Sequence, residues 1–207
     1  MVSVIPRRYN PGMVGRPRAT YADVLAAPEH MVAEVLDGEL FLSPRPAPRH
    51  ALASSQLGSL IGPPFALGRG GPGGWLILDE PELHLHGDIV VPDLAGWRVE
   101  RMPRLPAEAY FTTAPDWVCE VLSPSTRRVD RRRKLPIYAR NGVGHTWIVD
   151  PLERSLEVMS LHREHWLLVT IAGEDEHVRA EPFDAIELEL ALLWDHGAAA
   201  EPAPTAP

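Results

Sequence analysis

Residues 116–150 read DWVCEVLSPSTRRVDRRRKLPIYARNGVGHTWIVD, and their succession decides the fold. DWVCEVLS is an apolar run of strand length, TRRVDRRRKLPIYARNG reads as a helix, and HTWIVD as a second strand. Strand, helix and strand in that order imply a crossover with locally parallel pairing. One residue is out of place. Glu120 sits inside the apolar run, where an unpaired carboxylate costs several kcal/mol or takes up a proton. A partner for it must lie elsewhere in the chain.

Working upstream, ELHLHGDIVVPDLAGWRV alternates like paired strands, with a turn at Gly87-Asp88. WLILDE is a strand. GRGGPGG before it reads as a flexible turn, since a phosphate cradle needs a strand before it and a helix directly after. PRHALASSQLGSLIG places Leu52, Leu57, Leu60 and Ile61 at helical spacing. In HMVAEVLDGELFLSP the Asp37-Gly38 pair signals a hairpin, although MVAEVL could also extend the preceding helix. That helix, TYADVLAA, is capped by Thr20. Downstream, SLEVMSLHR and HWLLVTIAG form a further hairpin, and IELELALLW reads as either a strand or a helix. The expected class is α/β or α+β, a mixed sheet flanked by helices.

The chain has 207 residues, 45% of them hydrophobic, enough for one core and one domain over 20–196. Residues 1–19 read as an extended arm broken by Pro and Gly, and 197–207 as a disordered, low-complexity tail. No apolar run reaches bilayer length, so no membrane partner is expected. The lone cysteine, Cys119, lies in the strand beside Glu120 and reads as an inert core residue. With no disulfide possible within the chain, the cytoplasm is the natural setting.

The net charge of −8 argues against non-specific coating of nucleic acid. The charge is uneven, however: between Thr126 and Arg140 lie six arginines and one lysine against a single acid, Asp130. That segment reads either as a solvated helix face or as a surface that meets an acidic polymer.

A second acid shares the oddity of Glu120. Asp93, in IVVPDLAGW, is also flanked by apolar residues. Side chains alternate along a strand, so Val118, Glu120 and Leu122 share one side. Neighbouring carboxylates repel unless a cation stands between them. Their oxygens suit Mg²⁺ or Mn²⁺, and the alternative is an arginine partner for each acid. On the helix, Asp130, Lys134 and Tyr138 fall at i, i+4 and i+8 and form one stripe. Either this is an ordinary Asp–Lys helix pair, or the stripe turns Lys134 toward the carboxylates, where it could orient water or stabilise charge on a phosphate.

VPDLAG, followed by CEVLSPSTRRVDRRRKLPIYARNGVGHTWIVDP, resembles the bacterial putative restriction-endonuclease family, a branch of the PD-(D/E)xK nuclease superfamily. The resemblance reaches upstream to AEVLDGELFLSPRPAPRH and covers most of residues 30–160. It implies a restriction-endonuclease-like core with an acidic metal site. Asp93 and Glu120 would be metal ligands and Glu34 the upstream acid. The superfamily places a lysine two residues after the second acid; that position is Leu122 here, so Lys134 on the following helix would substitute for it. His50 lies where the resembling family often has a histidine, although a contact at the helix start is the plainer role. Pro136 departs from a regular helix and leaves the aim of Lys134 open.

His84 and His86 alternate along one strand but find no third ligand at fitting spacing. Ser123 and Ser125 read as caps, since a nucleophilic serine would want a G-x-S-x-G elbow. Trp97, Trp117 and Trp147 read as core. The expectation is therefore a Mg²⁺- or Mn²⁺-dependent endonuclease acting on DNA. Its catalytic residues would be Asp93, Glu120 and Lys134, its metal ligands Glu34, Asp93 and Glu120. Arg127, Arg128, Arg131, Arg132 and Arg133 would lie on the phosphate backbone, with His50, Asp130 and Tyr138 in support. Cleavage of both strands suggests a homodimer. The alternative is an inactive nuclease-fold module that binds nucleic acid or serves in assembly.

Overall fold

A computed structural model describes residues 17–194. The expected disordered tail at 197–207 lies outside the described residues, as does most of the expected arm. Of the arm, Ala19 is tied down by its N–H, which donates to the Gly38 carbonyl at 2.8 Å.

The order of elements is α1 (Tyr21–Leu25), β1 (Met31–Leu36), β2 (Glu39–Pro44), α2 (Pro48–Ile61), β3 (Trp75–Asp79), β4 (Leu83–Leu85), β5 (Asp88–Val90) and β6 (Leu94–Arg98). Then come β7 (Trp117–Val121), α3 (Arg127–Val129), α4 (Leu135–Arg140), β8 (His145–Asp150), β9 (Ser155–His162), β10 (His165–Gly173), β11 (His177–Val178), β12 (Leu188–Glu189) and α5 (Ala191–Trp194). A π-helical turn, Asp130–Lys134, joins α3 to α4, and another, Gly62–Ala66, follows α2.

Six strands form the main sheet in the order β10-β9-β8-β7-β6-β3, and four form a second sheet in the order β2-β1-β5-β4. The crossover is where the residues place it, with β7 and β8 parallel and Glu120 beside Ile148. The hairpins also stand: β1 and β2 pair through the Asp37-Gly38 turn, and β9 pairs with β10. MVAEVL is therefore a strand and not an extension of the helix. The turn between β4 and β5 falls at His86-Gly87, one residue earlier than expected, with both residues at positive φ. IELELALLW resolves into both alternatives, β12 and then α5. No helix among the described residues is long and apolar enough to cross a membrane.

Alternation along β7 sorts its side chains into two cores. Trp117, Cys119 and Val121 pack on one face of the main sheet with α2, Phe183 and Trp147. Val118 and Leu122 pack on the other with Ile137, Tyr138 and Leu36. Glu120 shares the parity of the second set, so it points toward the helix that follows and toward the four-stranded sheet. The chain crosses between the two sheets at Val91-Pro92-Asp93, from β5 to β6. A proline suits this crossing because it has no N–H to satisfy.

The helix after β7 is not one regular helix. The Leu135 N–H bonds back to the Asp130 carbonyl, a five-residue step. Pro136 then falls near the start of α4, where a missing N–H costs little. The widened turn absorbs the proline, and the departure from a regular helix expected there takes the form of a change of helical pitch.

Candidate functional site

Glu34, Asp93, Glu120 and Lys134 line one cleft of about 830 Å³, together with His50 and Asp130. They come from separate parts of the chain: Glu34 from the middle of β1, Asp93 from the crossing before β6, Glu120 from β7, His50 from α2. Asp130 and Lys134 open and close the π turn.

Lys134 stands at the centre. Its Nζ lies 2.9 Å from Glu120 Oε2, 3.2 Å from Glu34 Oε1 and 3.7 Å from Asp130 Oδ1. It also donates to the Val91 carbonyl at 3.0 Å. The other oxygen of Glu120 accepts the Tyr138 hydroxyl at 2.5 Å. The stripe Asp130–Lys134–Tyr138 therefore does turn inward, and the partner that Glu120 demanded is Lys134 with Tyr138. Backbone groups fix the remaining acids. Glu34 Oε1 accepts the Val91 N–H at 2.8 Å and Asp93 Oδ2 the Val121 N–H at 2.6 Å. His50 Nε2 lies 3.1 Å from Asp93 Oδ1, while its buried Nδ1 has no hydrogen-bond partner.

Glu120, Asp130 and Lys134 are all under 5% exposed, so their charges act on one another with little screening by water. Burial pulls the Lys134 ammonium down, but Glu120 and Glu34 outweigh it and hold the group well above its ordinary value. Burial lifts Glu120, and the neighbouring acids add to the lift against Lys134. Burial likewise pushes Asp130 from 3.8 up to about 6. The folded chain thus keeps a proton on Asp130 in a range where the unfolded chain has lost it. Stability from this group is complete below pH 3.8 and declines as the pH rises through about 6. Linkage puts the difference at roughly 3 kcal/mol. Asp130→Asn is expected to flatten this decline, as seen by comparing urea unfolding of variant and wild type at both ends of the range.

The arginines divide sharply. Arg127 pairs with Asp150, and Arg131 makes a two-pronged contact with Glu157 at 2.9 and 2.5 Å. Arg133 reaches Asp37 and Glu39 at 3.4 Å. These three are held by carboxylates of the chain itself. Arg132 is exposed and does not line the cleft. Arg128 does line it. So does Arg45, from the segment between β2 and α2, which the sequence reading passed over. Its available signal was a lone cation in the proline-broken run SPRPAPRH just ahead of His50. The expected caps form a small network: Ser123 Oγ accepts the Thr126 N–H at 3.2 Å and lies 2.8 Å from Ser125 Oγ. His84 is half-buried; it stacks on Tyr110 at 3.8 Å and bonds Glu82 at 2.7 Å.

A hard divalent cation is matched in kind by the carboxylates of this cleft. Their present arrangement closes round an ammonium, and among the described residues no three His, Cys, Asp or Glu side chains form a group that could hold an ion.

The fold is that of a restriction-endonuclease-like protein. Residues 19–192 match the model of the Uma2 family, described as putative restriction endonuclease, and the chain belongs to that family. Its fold is also that of a putative nuclease belonging to DUF820 from Anabaena variabilis ATCC 29413. The TM-score is 0.68 at 24% identity, over 85% of this chain and 97% of that one. No curated protein matches the chain.

Proposed function

We propose that the protein is a Mg²⁺- or Mn²⁺-dependent endonuclease that hydrolyses DNA phosphodiester bonds. The observation that carries the reading is the convergence of Glu34, Asp93, Glu120 and Lys134 on one cleft. Glu34, Asp93 and Glu120 would hold the metal, which supplies Lewis acidity and lowers the pKa of a bound water. The residues of the chain do the rest. The backbone N–H groups of Val91 and Val121 fix the rotamers of Glu34 and Asp93, and Tyr138 holds Glu120. Lys134, protonated among these acids, would supply positive charge beside a phosphate oxygen on which charge develops during attack. His50 keeps Asp93 oriented. A homodimer in the cytoplasm would present two such sites to the two strands of a duplex.

One observation favours a second reading. Lys134 already serves as the cation of the cluster, and no ready metal group exists among the described residues. A module that keeps the fold and binds nucleic acid without cutting it would look the same. Calorimetric titration with Mn²⁺ at neutral pH, paired with nicking of supercoiled DNA, separates the two. Saturable binding and metal-dependent nicking are expected. Neither heat nor nicking would leave the binding module standing.

A further inference from the structure

The cleft has an acidic floor. Glu34, Asp93, Glu120 and Asp130 converge there, with Lys134 the cation at their centre. A nucleic-acid backbone entering such a cleft meets repulsion unless cations stand at its mouth. Two arginines do. Arg45 comes from the segment between β2 and α2, and Arg128 from α3; both line the cleft and both are exposed. No carboxylate among the described residues pairs with Arg128. Among the described residues Arg45 has only Glu80, at 3.5 Å, with the two side chains 59% and 41% exposed. An exposed pair of that kind is weak and readily exchanged for another anion. The contrast with Arg127 and Arg131 is one of availability: those two are already engaged by Asp150 and Glu157, while Arg133 does not line the cleft.

We infer that Arg45 and Arg128 form a clamp for the phosphodiester backbone at the mouth of the cleft, and that Arg127 and Arg131 serve the fold. Arginine suits the task because its planar fork meets two phosphate oxygens at once. Contacts to phosphate carry no base readout, so the clamp sets position and not sequence preference. The inference rests on the nuclease reading of the same cleft and deepens it, adding Arg45 as a substrate-binding residue and narrowing the helix contribution to Arg128.

The test measures binding of a short DNA duplex by fluorescence anisotropy in the presence of Ca²⁺ over a series of KCl concentrations. Neutralising a phosphate contact lowers the slope of log affinity against log salt by about 0.9 on duplex DNA. Arg45→Ala and Arg128→Ala should each weaken binding several-fold and lower the slope by about that amount, with the double variant losing about twice as much. Arg131→Gln, checked to be folded by its circular dichroism, should leave the slope where it is. An unchanged slope in both clamp variants overturns the inference while the nuclease reading stands, since the wild type still binds. A fall in Arg131→Gln equal to that in Arg128→Ala overturns the division of the arginines. A wild type that binds no DNA under these conditions removes the nuclease reading and the clamp together.

Discussion

Lys134→Met is expected to lower the free energy of unfolding by about 3–5 kcal/mol, the range for breaking a buried ion pair by removing one partner. Methionine fills most of the space but leaves Glu120, Glu34 and Asp130 facing one another in a dry pocket. The Val91 carbonyl also loses its donor. The variant can recover part of the loss by taking up protons, so the deficit should shrink toward acid pH. Lys134→Met/Glu120→Gln removes the most deeply buried of the stranded charges and should restore a good part of the stability. Denaturant melts of the wild type, both single variants and the double variant give the coupling directly. Additive effects of the two substitutions would mean that the pair does not hold the cleft together.

Asp93→Ala is expected to abolish metal-dependent cleavage of DNA, by a thousandfold or more on the scale on which catalytic electrostatics acts. The same change strips the acceptor from the Val121 N–H and the partner from His50, so a structural cost of about 1–3 kcal/mol accompanies it. Asp93→Asn separates the two effects. Its amide oxygen can still accept from Val121, and the fold is kept, but the charge needed by a metal is gone. Loss of cleavage in both variants with near-normal stability in Asp93→Asn is the expected pattern. Full cleavage by Asp93→Asn would sink the proposed role.

What the residues disclose and what they hide divide along a physical line. The crossover at β7–β8 is legible because apolar runs of strand length flank a segment of helical composition, and Glu120 is legible because a carboxylate cannot lie alone among Trp117, Val118 and Val121. The inward stripe of Asp130, Lys134 and Tyr138 follows from helical spacing. The ion pairs of Arg127, Arg131 and Arg133 are not legible, because Asp150, Glu157 and Glu39 come from strands, and Asp37 from a hairpin turn, whose placement beside the helix is a tertiary matter. A run of arginines looks the same whether it faces carboxylates of its own chain or solvent. Arg45 was hidden for the same reason: it enters the cleft from a segment without periodicity. The π turn left only Pro136 as a trace, and the proline alone does not say whether the helix bends, breaks or widens.

That turn behaves like a one-residue insertion in the helix, and its consequence is a phase relation. The half that carries Arg127 and the half that carries Tyr138 are out of step by one residue, about 100° of rotation on a regular helix. Arg127 can therefore meet Asp150 while Tyr138 meets Glu120, from one continuous segment. Substituting the exposed Arg132 should be mild, whereas deleting it would bring the halves into phase and swing one set of contacts off its partners. The length of this segment is then under tighter physical constraint than the identity of its exposed members.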